Sequence, residues 1–245
     1  MKYVRPILLV CFALVCISLF YFSLSYFEKR EVPKTPIKVI AQTGPLKEGL
    51  KTDFLAELLD LSIDHPKCLE IAEVESILKK SPMIKQVSAS YLNPETLYID
   101  YTLRTPIFSL LDIDNIALDG EGIPFSLTPH FTPKNLPELY LGLKSPKELS
   151  LSYSENKKIL TQKLKQLVGD HLIRIDLSHF EEPSLGKQEI IIIAKPGEKS
   201  HYLRLPIKKF EKQLAHYLSI QEKLQDQELI IDLRVPDLAY LTTIQ

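Results

Sequence analysis

The sequence predicts an α+β fold in which an N-terminal transmembrane helix precedes a small β-α-α-β-β domain and a mixed β-domain with flanking helices. Three observations predict it. An apolar run without charge extends from Ile7 to Phe27. Residues 87–104 alternate with period two on both sides of a short turn, which is typical of a β-hairpin with one buried face. After Pro106, short apolar strands alternate with amphipathic helical stretches.

Composition excludes several classes of function. A chain of 245 residues allows one or two domains. Its net charge of −1, with Lys and Glu intermixed, gives no basic face for nucleic acid. Glycine occurs 8 times, where average usage gives roughly 17. The phosphate-binding glycine motifs are absent, so we expect neither a nucleic-acid partner nor a small-molecule substrate.

The apolar run from Ile7 to Phe27 has the length that a membrane-spanning helix requires, since about 20 such residues cross the hydrocarbon core. A cleaved signal peptide is the alternative, but its apolar region is shorter, and here Tyr26 and Phe27 continue the run. We expect an uncleaved anchor at 7–27, a cytoplasmic tail at 1–6 and a linker at 28–36. Lys and Arg are more frequent on the C-terminal side of the run, but long domains translocate largely regardless of charge, so charge leaves the orientation open.

Residues 37–105 form the predicted small domain. Ile37–Ala41 is a short strand, helical periodicity extends from Leu46 to Leu59, and a second helix extends from Cys68 to Lys80. The hairpin with its turn at Asn93–Glu95 follows. Two helices on one face of a small sheet bury the apolar sides of both layers. This order is that of the POTRA domain, a module of membrane-anchored and outer-membrane assembly proteins.

The cysteines form no disulfide framework. Cys11 and Cys16 lie in the apolar run, so Cys68 is alone in the rest of the chain. Free cysteine is among the most buried residue types, and we expect Cys68 to be buried.

Residues 106–245 form the predicted β-domain. Asp119-Gly120 between apolar runs indicates a hairpin turn. Helices are predicted at Ser152–Val168 and Ile207–Leu224, and a last strand at Leu229–Val235. Asp232 and Arg234 on one face of that strand form either an internal ion pair or a contact for a partner.

No metal, cofactor or catalytic site is predicted. The EF-hand pattern requires Gly at its sixth position and Glu at its twelfth, where this chain has Ala117 and Ile123. The tetrad Ser76–Lys79 lacks the companion motifs of penicillin-binding enzymes, and the six histidines show no H-E-x-x-H spacing. The acidic residues that raise the question of calcium are Asp112, Asp114, Asp119 and Glu121.

Six short segments resemble, in order, motifs of the FtsQ/DivIB family of bacterial cell-division proteins, and together they cover nearly the whole chain. The entry to the hairpin is similar to "x-P-x-V-x-x-A", and the last segment is similar to the terminal "v-D-L-R-Y". The chain departs from the family pattern because it has no Trp, has Val235 in place of the Tyr, and lacks the following Gly near Leu238. The segments are Ser81–Val87, Asn93–Ile99, Arg104–Phe108, Leu118–Phe125, Leu136–Gly142 and Ile231–Arg234.

The resemblance implies a non-enzymatic divisome scaffold that links early and late division proteins and controls septal peptidoglycan synthesis. Its expected partners are FtsB/FtsL-type bitopic proteins and other divisome components, bound when a partner strand adds to the C-terminal edge of the sheet. It also implies a single-pass protein of the cytoplasmic membrane at the division septum, with a cytoplasmic N-terminus and the body outside. The residues it assigns to partner binding are Asp232, Arg234, Val235, Leu238, Tyr240, Leu241 and Thr242.

Two alternatives remain. A membrane-anchored POTRA adaptor or chaperone for secretion or outer-membrane assembly would bind extended client segments at the edge of the small sheet. An anchored cell-wall enzyme would need a catalytic constellation, and the sequence contains none that pairs a nucleophile with a base.

Overall fold

The computed structural model describes residues 14–22, 35–62, 64–132, 134–224 and 226–244. The fold is α+β with a large mixed sheet. The chain divides into two compact units, Met1–Arg104 and Thr105–Gln245, which are treated separately below.

The N-terminal part of the predicted fold class has to be corrected. Helix α1 covers residues 14–22. Among the described residues, none of the helices combines the length and the apolar character that a membrane span requires. The other residues of the predicted span, 7–13 and 23–27, lie outside the described ranges, as do the tail and linker up to residue 34.

The remaining elements of the first unit follow the order β-α-α-β-β. β1 lies parallel to β3, and β2 lies antiparallel to β3 on its other side, so the sheet order is β1-β3-β2. Apolar side chains of both helices and of β3 are buried together, among them Leu55, Val74, Leu78, Leu97 and Ile99. The elements are β1 (Val39–Thr43), α2 (Thr52–Leu58), α3 (Ile71–Lys79), β2 (Ile84–Asn93) and β3 (Thr96–Leu103).

The first of these helices begins later than its periodicity predicts. Leu46 is fully exposed, and α2 begins only at Thr52. Between β1 and α2 the chain passes over the buried ring of Tyr101, whose hydroxyl accepts a 2.6 Å hydrogen bond from the amide of Leu50. A side chain at Gly44 would collide with the same ring. The contact with Tyr101 therefore determines the path of the chain between β1 and α2.

Cys68 also differs from its prediction. It is exposed, in the segment that leads into α3. The neighbouring Leu69 is buried instead, and its carbonyl accepts a 2.8 Å hydrogen bond from the Tyr91 hydroxyl.

The second unit is built on a sheet of nine strands in the order β12-β11-β10-β9-β8-β7-β4-β5-β6. The pairs β10/β11, β7/β8 and β4/β7 are parallel, and the other neighbours are antiparallel. The elements are β4 (Phe108–Leu110), β5 (Ile116–Leu118), β6 (Pro124–Ser126), β7 (Glu138–Tyr140), α4 (Leu149–Ser152), α5 (Glu155–Val168), β8 (Leu172–Asp176), β9 (Ile190–Ala194), β10 (His201–Leu205), α6 (Phe210–Ile220), β11 (Leu229–Asp232) and β12 (Tyr240–Thr243).

One hydrophobic core joins the sheet of the second unit to its two long helices. Leu164 of α5 and Leu214 of α6 are fully buried with Ile192 of β9, Leu203 of β10 and Ile231 of β11. Helix α6 is shorter than predicted because it begins at Phe210, after Lys209 in a left-handed conformation, and ends at Ile220. The predicted last strand is also shorter. β11 ends at Asp232, and the chain then turns back to form β12.

Candidate partner-binding edge

β12 is the outer strand at one end of the nine-stranded sheet. It pairs antiparallel with β11 in a register that places Tyr240 opposite Asp232 and Thr243 opposite Leu229. All four residues of β12 are exposed. An edge strand of this kind presents a row of backbone groups to which another chain can pair.

The pairing register identifies the backbone groups that face outward. The amide of Ile244 donates a 3.1 Å hydrogen bond to the carbonyl of Glu228. In an antiparallel pair, hydrogen-bonded and non-hydrogen-bonded positions alternate. The backbone groups of Thr242 and Tyr240 therefore also face β11, whereas those of Leu241 and Thr243 face away from the sheet. These two residues supply the open hydrogen-bonding edge.

The side chains near this edge are unusually apolar for an exposed surface. Leu241 shares a sheet face with its buried cross-strand neighbour Ile231. Tyr240 lies on the opposite face and is 74% exposed. In the turn that precedes β12, Leu238 is 65% and Val235 is 56% exposed. The edge thus combines unpaired backbone groups with apolar side chains on both faces.

A tight turn between β11 and β12 positions the edge strand. The amide of Leu238 donates to the carbonyl of Val235 at 3.3 Å, with Pro236 and Asp237 between them. Asp237 has a φ of 60°, and Pro followed by a residue of positive φ is the pattern of a type II turn. Lys212 on α6 donates a 2.9 Å hydrogen bond to Asp237 Oδ1, and this contact holds the pKa of Asp237 below its usual range.

Asp232 and Arg234 belong to a charged cluster beside the edge. Arg234 donates to both oxygens of Asp232, with a shortest contact of 2.6 Å, and this hydrogen bonding lowers the pKa of Asp232. Arg204 on β10 donates to Glu189 at 2.8 Å and lies 3.5 Å from Asp232. Arg234 also lies 3.3 Å from Glu189. Asp232 and Arg234 are therefore an internal ion pair, one of the two interpretations that the sequence leaves open.

The structure divides the predicted site residues into two groups. Asp232, Arg234 and Val235 line a cavity of about 510 Å³ at the end of β10 and β11. Leu185 and Pro206 contribute apolar surface to the same cavity. The other predicted residues, which are Leu238, Tyr240, Leu241 and Thr242, lie on the turn and on β12.

Sequence reasoning missed β12 as a separate strand, and it missed three residues around it. Lys212 supports the turn, whereas Glu189 and Arg204 complete the charged cluster. The strand itself has a signal in the sequence, because Pro236-Asp237 is a turn pair and Tyr240–Thr243 consists of residues typical of strands. The three other residues come from distant segments and have no such signal.

Two of the four acidic residues that raised the question of calcium, Asp112 and Asp119, bind backbone amides. The two carboxylate oxygens of Asp112 accept hydrogen bonds from the amides of Leu141 and Leu143, at 2.8 and 2.6 Å. Asp119 Oδ1 accepts from the amides of Glu121 and Ile123, which closes the hairpin turn. Among the residues that the structure describes, no group of His, Cys, Asp or Glu is arranged to hold a metal ion.

One histidine, His201, is fully buried in the core of the second unit. Its Nδ1 lies 2.8 Å from the Tyr217 hydroxyl, and its Nε2 lies 3.1 Å from the carbonyl oxygen of Leu224. These partners are structural groups of α6 and of the segment that leads to β11, so the arrangement favours packing over catalysis.

The predicted site residues thus lie on the β12 edge, on the turn before it and around the adjoining cavity. No protein-family model matches the chain, and its sequence matches no curated protein at a significant level.

Proposed function

We propose that this protein is a non-enzymatic scaffold of the bacterial division machinery, of the FtsQ/DivIB type, and that it binds FtsB/FtsL-type partners by strand addition to β12. In this role it links early and late division proteins and controls septal peptidoglycan synthesis through its partners. The observation that carries the proposal is the open edge of β12, at the position where the resemblance places partner binding.

The chemistry of the edge supports strand addition. Main-chain hydrogen bonds supply affinity in this mode, and pockets for alternate side chains supply specificity. Leu241 and Thr243 offer the outward-facing backbone groups, and Leu238 and Tyr240 offer apolar contacts beside them. The partner segment that fits is therefore an extended strand with apolar side chains on both of its faces.

The opposite end of the same sheet is less suited to strand addition. Its outer strand, β6, begins with Pro124, which has no amide hydrogen, and the next residue, Phe125, is buried. β12 contains neither Pro nor a charged residue, the two devices that commonly protect edge strands. The contrast favours β12 as the edge that binds a partner.

A client-binding adaptor is supported less well by the first unit. β2 forms one edge of the small sheet, as that function requires. However, the amide of Ala89 donates a 3.2 Å hydrogen bond to Glu75 Oε1 of α3. An amide bonded to a helix side chain points away from β3. The carboxylate of Glu75 therefore already binds the Ala89 amide, which an added strand would need.

Proline substitutions on β12 test the proposed function. Leu241→Pro and Thr243→Pro each remove an outward-facing amide hydrogen and leave the hydrogen bonds to β11 in place. Each should weaken capture of a purified FtsB/FtsL-type complex from the same bacterium by at least about tenfold, since an edge hydrogen bond is lost and the ring obstructs the incoming strand.

Leu241→Ala is the matched control because it shortens the side chain and retains the amide, so it should weaken capture less than Leu241→Pro. Amide exchange at Ile230, which is paired with Thr242 and whose amide faces β12, reports whether the edge stays folded. If both proline variants keep this protection and still capture the partner as the parent does, strand addition at β12 is excluded.

The resemblance also implies an extracytoplasmic position at the division septum, and this is part of the proposal. A reporter that is active only outside the cytoplasm, fused after Gln245, should be active and should concentrate at the septum. Activity of a cytoplasm-specific reporter at the same position would contradict the proposal.

A further inference from the structure

The edge of β12 has a property that strand addition by a partner does not require: it is complementary to itself. We propose that two copies of this chain pair through β12 in an antiparallel arrangement about a two-fold axis, and that this pairing is the partner-free state of the edge. The inference rests on the proposed function only in its last step, where pairing of copies competes with the partner.

The backbone defines the register of such a pair. Because the groups of Leu241 and Thr243 face outward, an antiparallel copy can place Leu241 opposite Thr243 of the second chain. In a hydrogen-bonded antiparallel pair the two residues exchange both of their N–H to O=C hydrogen bonds. The two-fold axis then repeats the exchange between Thr243 and Leu241 of the second chain. This register satisfies every outward-facing group of β12.

The same register juxtaposes favourable side chains. Thr242 lies on the axis and meets Thr242 of the second copy, and paired threonines are a stabilising cross-strand combination. Tyr240 meets Ile244 of the second copy, which is an aromatic pair with a β-branched residue. Tyr240 is 74% and Ile244 is 40% exposed in the single chain, so pairing covers apolar surface on both copies. β12 contains no charged residue that would repel its own copy.

An isologous contact of this kind joins two copies and no more, because each copy has one β12 edge. The outer strand at the other end of the sheet, β6, begins with Pro124, which has no amide hydrogen to donate to a further copy. The product is a closed dimer. A partner strand needs the same groups of Leu241 and Thr243, so a partner and a second copy exclude each other.

Cysteine cross-linking tests the register directly. In full-length chain with Cys11→Ser, Cys16→Ser and Cys68→Ser, the substitution Thr242→Cys should give a disulfide-linked dimer on mild oxidation. Positions opposite each other in a non-hydrogen-bonded pair have Cα atoms about 4.5 Å apart, within the range of disulfides.

Tyr240→Cys in the same background is the control. The two copies of position 240 are four residues out of register, about 13 Å apart, and cannot be bridged. A dimer with Thr242→Cys and little with Tyr240→Cys supports the pairing. No dimer with Thr242→Cys, or equal amounts with both variants, overturns it.

Competition is tested by adding a purified FtsB/FtsL-type complex before oxidation. Loss of the Thr242→Cys dimer in proportion to bound partner supports exclusion, whereas an undiminished dimer with partner bound overturns it. If the complex fails to bind at all while the dimer forms, the proposed function fails and the self-pairing stands.

Discussion

The hydroxyl of Tyr217 donates a hydrogen bond of 2.8 Å to Nδ1 of His201 in the core of the second unit. The direction follows from the other side of the ring. Nε2 lies 3.1 Å from the carbonyl oxygen of Leu224, which can only accept, so in the neutral imidazole Nε2 carries the proton and Nδ1 is the acceptor. This contact joins β10 to α6 and to the segment that precedes β11. It therefore stabilises, from the core side, the position of β11, the strand that pairs with β12.

Removing the Tyr217 hydroxyl should destabilise the second unit. Tyr217→Phe leaves the fully buried Nδ1 of His201 without a donor, and we expect a loss of about 1–3 kcal/mol in the free energy of unfolding. Urea unfolding followed by circular dichroism measures it. Tyr202→Phe lies on β10 next to His201 but is partly exposed, so it is the control and should change stability by less than about 0.5 kcal/mol. Equal effects of the two variants would show that the Tyr217–His201 bond contributes nothing.

The ion pair between Asp232 and Arg234 should make stability depend on pH. The pKa of Asp232 is lower in the folded chain because of its hydrogen bonds from Arg234. A carboxyl whose pKa falls on folding contributes stability above its unfolded value, about 3.9, and loses that contribution as the pH drops through the folded value. Asp232→Asn should therefore destabilise the second unit at pH 7, and the difference from the parent should shrink below pH 3.9.

The measurement is urea unfolding of parent and Asp232→Asn across this pH range. Asp237→Asn is a useful comparison because Asp237 also has a lowered pKa but is exposed on the turn. Its effect should be smaller at pH 7 and more sensitive to salt, since exposed pairs are screened. A pH-independent effect of Asp232→Asn would contradict the assigned role of the ion pair.

The left-handed conformation at Asp237 should control how well β12 is held. Asp tolerates a φ of 60°, Gly adopts it freely, and a β-branched residue is strained there. We expect Asp237→Gly to preserve the β11–β12 pairing and Asp237→Val to weaken it. Amide exchange at Tyr240 and Thr242 should be about tenfold faster in the Val variant, by the usual cost of this conformation. Similar exchange in both variants would argue against a turn that depends on positive φ.

The close approach of Gly44 to Tyr101 should make this position intolerant of a side chain. A Cβ at Gly44 would collide with Cζ of the buried Tyr101 ring. Gly44→Ala should destabilise the first unit by about 1–3 kcal/mol, the usual range for overpacking. Gly186→Ala has open space around it and is the control. Thermal unfolding of both variants measures the difference, and equal melting temperatures would contradict the packing described for the β1–α2 connection.

Local pattern identified much of this fold because hydrophobic periodicity is encoded residue by residue. The β2–β3 hairpin follows directly from alternation, and the existence of helix α5 follows from helical spacing. Leu46 and Cys68 are exposed, although helical periodicity and residue type predicted that they face the core. Whether a single apolar residue is covered depends on segments far away in the chain, which its neighbours in sequence do not reveal.

The sequence by itself determined the alternation of strands and helices, the absence of known catalytic motifs, and the C-terminal segment as the candidate site. The tertiary structure decided that Asp232 and Arg234 are neutralised by each other and by Glu189 and Arg204. It also decided that β12 is the outermost strand, with Leu241 and Thr243 facing away from the sheet. The physical reason is that an edge is defined by which strands pair, and pairing depends on contacts between segments such as β10, α6 and β11. No stretch of sequence read alone contains that information.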